Sequence, residues 1–154
     1  MKRLLVLAMI FLILAGNSQA GLGWTLAECI QHYGKPLTTP ESDNQTWYGF
    51  SAKEYLILVW INGGEVSRVA YTKPTLSIGE VQALLSTNAP DAVWDDQPTK
   101  DEANNQFWWK GRRNGVLAYR AVETSAMGQA ALAIWTKDDD DARDAANKRN
   151  SKDM

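Results

Sequence analysis

The chain reads as an α+β protein made of tandem α-β-β-β repeats, with antiparallel sheets each covered by a short helix. Three observations carry that reading: two capping boxes that each open a short helix, three strand-like runs after each helix, and tight-turn residues between the runs. A repeated order of elements constrains architecture more than the propensity of any single segment does.

The first box is Thr25-Leu26-Ala27-Glu28 and the second is Ser77-Ile78-Gly79-Glu80. A hydroxyl followed three residues later by a carboxylate satisfies amides that a helix start leaves free. Leu26, Cys29, Ile30 and Tyr33 then form an apolar stripe at helical spacing, and Ile78, Val81, Leu84 and Leu85 form its counterpart. Both helices stop shortly before a proline, in Gly34-Lys35-Pro36 and Asn88-Ala89-Pro90, because proline pushes its predecessor out of the helical region.

Strands are predicted over residues 45–50, 54–61 and 65–73 in the first half, and over 106–111, 115–122 and 129–137 in the second. Asn62-Gly63-Gly64 and Asn114-Gly115 supply the positive-φ residues that tight hairpins need, and Met127-Gly128 lies in the last connection. Tyr55, Ile57, Val59 and Ile61 alternate with Leu56, Leu58 and Trp60, so both alternations are apolar. That pattern predicts a central strand covered on both faces.

The repeats span about residues 25–73 and 77–137 of a single domain over 21–137, and they close alike, with Tyr71-Thr72-Lys73 and Trp135-Thr136-Lys137. The second is longer because residues 90–105 form a polar loop carrying Asp91, Asp95, Asp96, Asp101 and Glu102. Residues 138–154 are charged and hold no aromatic, which predicts a solvated, disordered tail or a frayed helix. Their Asp138-Asp139-Asp140-Asp141 run lacks the glycine and spaced ligands of a calcium loop.

Lys2 and Arg3, the apolar run from Leu4 to Ala15, and Ser18-Gln19-Ala20 make up the pattern of a secretory signal over residues 1–20. Cleavage at Ala20-Gly21 and a periplasmic or secreted location are expected, with Gly21-Leu22-Gly23 as a flexible new N-terminus. The apolar run falls short of the roughly 20 residues of a membrane span, so no stable membrane insertion is expected after cleavage. Leu14-Ala15-Gly16 resembles a lipoprotein box, but Asn17 stands where the lipid-accepting cysteine belongs. Without Lys2 and Arg3 the chain holds 14 basic and 18 acidic residues, a balance of −4 that argues against nucleic-acid binding.

Cys29 is the only cysteine, so no internal disulfide forms, and it reads as a small buried hydrophobe. Cys29 and His32, the only histidine, supply two ligands where zinc takes about four, so neither a metal site nor a cofactor is expected. The chain has no Gly-x-Ser-x-Gly elbow, and Gly21-Leu22-Gly23 follows no strand as a dinucleotide fingerprint must. No residue is assigned a catalytic role. Asn44-Gln45-Thr46 matches a glycosylation acceptor in hosts that glycosylate exported chains.

One segment stands out: Phe107-Trp108-Trp109-Lys110-Gly111-Arg112-Arg113, with Arg120 on the next strand. Alternation places Phe107 and Trp109 on one face and Trp108 and Lys110 on the other, so one tryptophan is less buried than its neighbour. Tryptophan beside arginine stacks on sugars, peptides or aromatic ligands, and arginine grips carboxylate or phosphate with two donors. Trp108, Lys110, Arg112, Arg113 and Arg120 are therefore the candidate binding residues. The competing reading is a hairpin charged for solubility, with both tryptophans covering a small core.

From Thr25 to Lys137 this layout, with Tyr33-Gly34-Lys35-Pro36 ending the first helix, resembles the β-lactamase-inhibitor-protein-like fold. Small outer-membrane-assembly lipoproteins share that fold as a single helix-and-sheet unit. The resemblance implies an antiparallel sheet with helices, and Asn17 departs from the lipoproteins' anchoring cysteine. The expected function is an exported, non-enzymatic binding or interaction module for a protein or envelope component. Two alternatives stand beside it: a small exported hydrolase using Asp95 and Asp96 with Glu102, and a structural envelope protein that self-associates through a strand edge.

Overall fold

The computed structural model describes residues 21–40 and 47–151. The signal segment, the Asn44-Gln45-Thr46 acceptor and the first two residues of the first predicted strand lie outside the described residues. The fold is α+β. In chain order the elements are α1 (Leu26–Tyr33), β1 (Trp47–Ala52), β2 (Tyr55–Asn62), β3 (Glu65–Lys73) and α2 (Ile78–Asn88). They continue with β4 (Val93–Trp94), β5 (Thr99–Asp101), β6 (Gln106–Arg113), β7 (Val116–Ala126), β8 (Gln129–Thr136) and α3 (Lys137–Asn150).

Both capping boxes close as the sequence predicts. The Glu28 amide donates to Thr25 Oγ1 at 3.3 Å while the Thr25 amide donates to Glu28 Oε2 at 2.7 Å. Ser77 and Glu80 repeat the exchange at 3.2 and 2.8 Å. In the tight hairpins the turn residues occupy the left-handed region: Gly63 and Gly64 between β2 and β3, Asn114 and Gly115 between β6 and β7, Met127 and Gly128 between β7 and β8. Two such residues in succession match the strand twist.

The strands form one antiparallel sheet in the order β1-β2-β3-β8-β7-β6-β4, with β5 also on β6. The two halves thus share one sheet rather than each keeping its own. The halves join where β3 pairs with β8, with Val69 opposite Ile134 and Tyr71 opposite Leu132. Cys29 of α1 and Val81 and Leu85 of α2 share one core with Phe50, Ile57, Val59, Val69, Tyr71, Trp109, Ala121, Leu132 and Ile134. Both helices therefore cover the same face of the one sheet.

That arrangement overturns the expected double coverage of β2. Ile57 and Val59 point into the core, whereas Leu56 on the other face is 46% exposed and Leu58 and Trp60 are partly exposed. The strand lies second from an edge, and neither α1 nor α2 lies over its outer side. The matching endings of the two halves also part company. Tyr71 opposes Leu132 on the core face, but Trp135 opposes Arg68 on the outward face.

Three further expectations are corrected. Residues 90–105, expected as loop alone, contain β4 and β5, whose residues Trp94 and Thr99 pair with Gly111 and Trp108 along the outer edge of β6. Gly21-Leu22-Gly23 is fixed rather than flexible: Gly23 N–H bonds Val66 O at 2.8 Å and Val66 N–H bonds Trp24 O at 2.7 Å. The segment expected as a disordered tail or frayed helix forms a regular helix, α3, as far as Asn150, because Thr136 Oγ1 caps it by accepting from the Asp139 amide at 3.3 Å. Among the described residues no helix is long and apolar enough to cross a membrane.

Candidate functional site

Registry places two rows of side chains across the outward face. One row runs Leu58, Ala70, Ala133, Val122, Trp108 through β2, β3, β8, β7 and β6. Opposed residues share a side of an antiparallel sheet. Ala70 and Ala133 therefore form a low floor between the larger Leu58 and the Val122–Trp108 flank. The neighbouring row runs Trp47, Trp60, Arg68, Trp135, Arg120, Lys110 and adds β1. Aromatic and cationic groups alternate at its centre.

Trp108 is partly exposed and meets the Trp135 ring edge-on, with centroids 5.9 Å apart and planes at 86°. Its neighbour Trp109 is only 2% exposed and belongs to the core. The sequence expectation that one tryptophan is less buried is met, and Trp108 is that one. Of the five candidate residues, Trp108, Lys110 and Arg120 share the outward face.

Arg112 and Arg113, at the C-terminal end of β6, turn instead to carboxylates of the 90–105 segment. Arg112 Nη1 binds Asp95 Oδ1 at 2.6 Å. Arg113 Nε lies 2.6 Å from Asp91 Oδ2, and the guanidinium donates to Tyr119 Oη while stacking over that ring at 5.3 Å. Asp91, Arg113, Tyr119 and Asn88 line a cavity of about 590 Å³. The loop carboxylates are held apart by different partners: Asp95 also accepts the Lys110 amide at 3.1 Å, Glu102 pairs with Lys100 at 2.8 Å, and Asp96 is exposed.

The centre of the cationic row is occupied by the first turn of α3. Arg68 grips Asp139 Oδ2 through Nε at 3.2 Å and Nη2 at 2.6 Å, while Ser67 Oγ donates to Oδ1 at 2.9 Å. Trp135 Nε1 donates to Asp140 Oδ1 at 3.2 Å, and Arg120 Nε lies 3.0 Å from Asp140 Oδ2. That Arg120 approach lacks hydrogen-bond geometry, so the atom is buried without a hydrogen-bond partner. Arg143 completes the cluster, stacking over Trp135 at 5.3 Å and reaching Asp140 at 3.2 Å. Asp139 is 8% exposed, and a carboxylate buried that far needs paired charges around it.

Sequence reasoning missed Trp60, Arg68, Trp135, Asp139 and Asp140, because registry and not chain proximity assembles them. Cys29 and His32 do not meet as ligands. The Cys29 thiol is fully buried, and burial with the nearby Glu28 charge pushes it up to about 11. His32 packs edge-on against Trp24 and Tyr33, with ring centroids 5.0 Å away in each case.

Beneath the helices, Tyr71 Oη contacts Tyr33 Oη at 3.4 Å and accepts from Asn88 Nδ2 at 3.0 Å, so the buried hydroxyls and amide satisfy one another. Burial holds both phenols above their ordinary range. Chemically the outward face offers aromatic stacking, apolar contact and carboxylate binding. No family model matches the chain, and no curated protein or solved structure matches it.

Proposed function

We propose that the protein is an exported, non-enzymatic binding module that holds a protein or envelope component against the outward face of its sheet. The observation that carries this reading is the partly exposed Leu58–Ala70–Ala133–Val122–Trp108 row, together with exposed Leu56, over which neither α1 nor α2 lies among the described residues. An eight-stranded sheet normally buries apolar residues under a second layer, and a contiguous exposed apolar patch marks an interaction surface. The low alanine floor suits a ridge of partner side chains seated between Leu58 and Trp108. The two halves are tandem α-β-β-β repeats in this reading, supported by their matching order of helix and strands and by the central β3–β8 pairing. The same order supports a kinship in fold with the β-lactamase-inhibitor-protein-like group, and export rests on the residue 1–20 pattern.

The test is chemical cross-linking in the exported fraction with wild type, Trp108→Ala and Leu58→Asp. The reading expects one recurrent partner with wild type and its loss with both variants, while far-ultraviolet circular dichroism stays unchanged. Equal capture by all three would refute the outward face as the site. Concentration-dependent sedimentation of the purified protein alone, abolished by Leu58→Asp, would identify the partner as a second copy.

A further inference from the structure

We infer that the arginine–tryptophan row is a docking site for an acidic segment of a partner protein, and that the chain's own α3 is its resident competitor. The inference rests on the binding-module reading for its partner and on the α3 geometry for its chemistry. Three adjacent strands present Arg68, Trp135 and Arg120 directly opposite one another. Each reaches one of two consecutive carboxylates at a helix start, Asp139 and Asp140. The row is therefore already shown holding paired acids, and the geometry of that grip defines the ligand class.

Two features make the occupant displaceable. The docking is confined to the N-terminal half of α3: Asp139 is buried, Lys137 and Asp140 are partly covered and Arg143 stacks over Trp135, whereas residues 144, 145 and 147–149 are exposed. No apolar side chain of α3 is buried beneath it, so ion pairs, hydrogen bonds and the Arg143–Trp135 stack hold it in place. The partly exposed Arg120 and Arg143 contacts to Asp140 weaken as salt screens them, more than the buried Arg68–Asp139 pair does. The resident helix also leaves the site incompletely used. Arg120 Nε has no hydrogen-bond partner, and Lys110 at the end of the row is exposed with no ion pair among the described residues. An incoming acidic segment can use both, and on displacing α3 it would uncover Trp135 beside Trp108 and so extend the apolar row.

The probe is an acetylated, fluorescently labelled peptide of residues 136–151, added to the full-length protein and followed by anisotropy. The resident helix is loosened in cis with the Asp139→Asn/Asp140→Asn variant. The inference expects this variant to bind the peptide at least fivefold more tightly than wild type, with the gain removed by Arg120→Gln and by high salt. A peptide carrying the same two asparagines is expected not to bind. Absence of binding to a folded double variant would overturn the inference, as would equal binding of the asparagine peptide. Should the double variant fail to fold, Asp140→Asn alone leaves the Arg68 grip intact and carries the same comparison at Trp135 and Arg120.

The two readings fail separately. A partner captured through Trp108 but unaffected by Arg68→Gln and Arg120→Gln would sink the acidic-segment site and leave the binding module standing. Peptide binding with no partner captured through Trp108 would do the reverse.

Discussion

Trp108 and Trp109 are neighbours in sequence, yet the structure gives them opposite costs of removal. Trp109 is 2% exposed within the core, and truncating a buried tryptophan to alanine costs about 3–5 kcal/mol. Trp108 is partly exposed, and its main ordered contact is the edge-on Trp135 ring at 5.9 Å. Such a pair is worth about 0.5–1.5 kcal/mol beyond area burial, so Trp108→Ala is expected to cost about 1–2 kcal/mol. Natural domains hold only about 5–15 kcal/mol in total, so Trp109→Ala removes a large share of the stability. For a domain of this size, about 3 °C of Tm per kcal/mol translates the two costs into drops of roughly 9–15 °C and 3–6 °C. Urea unfolding followed by circular dichroism reads both without depending on tryptophan emission. Equal destabilisation by the two substitutions would refute the assignment of Trp108 to the outward face.

Other outcomes follow from individual contacts. The Lys73 ammonium bonded to Glu80, with the Ser77 amide, pulls that carboxyl down to about 2 from 4.5, so its stabilising contribution is complete above about pH 5 and fades as pH falls toward 2. The Tm gap between wild type and Glu80→Gln, which keeps the cap, is expected to shrink over that window; a gap that widens on acidification would contradict the pairing. Cys29, pushed up to about 11 from 9.0, holds about a hundredfold less thiolate at pH 8 than an unperturbed thiol, so native alkylation is expected to be at least that much slower than in urea. A Cβ at Gly111 would sit 3.2 Å from the Trp94 ring, so Gly111→Ala is expected to displace that ring and cost about 1 kcal/mol in urea unfolding.

The local signals in the sequence were readable because they act within a few residues. Two capping boxes and three Gly- or Asn-bearing hairpins fall where the residues predict, since each depends on neighbours alone. The β3–β8 joint was hidden because Val69 and Ile134 are brought together by topology across more than half the domain. The double apolar pattern of β2 was visible, but burial on both faces and burial on one face with apolar residues partly exposed on the other look alike in one strand. Leu56 and Leu58 decide between them only once the helices are placed on the other side.

Helix α3, expected only as a tail or a frayed helix, is instructive in another way. Thr136-Lys137-Asp138-Asp139 carries the hydroxyl-to-carboxylate spacing of a helix start, the same device as at Thr25 and Ser77. Its composition, with no apolar stripe, gives no sign of docking, because an apolar stripe is how most helices dock. This helix docks instead by charge onto Arg68 and Arg120, whose facing positions are set by strand register. Of the five candidate residues, the same register gathers Trp108, Lys110 and Arg120 and leaves Arg112 and Arg113 to Asp95 and Asp91.

Hydroxyl-radical footprinting of the protein in the fraction of its cells where it is found, compared with the purified chain, tests the outward face most directly. The account predicts protection of Leu56, Leu58 and Trp108 when the partner is present, with Ile30 and Ile78 on the exposed sides of α1 and α2 unchanged. Protection confined to those helices, with Leu58 and Trp108 labelled equally in both samples, would contradict it.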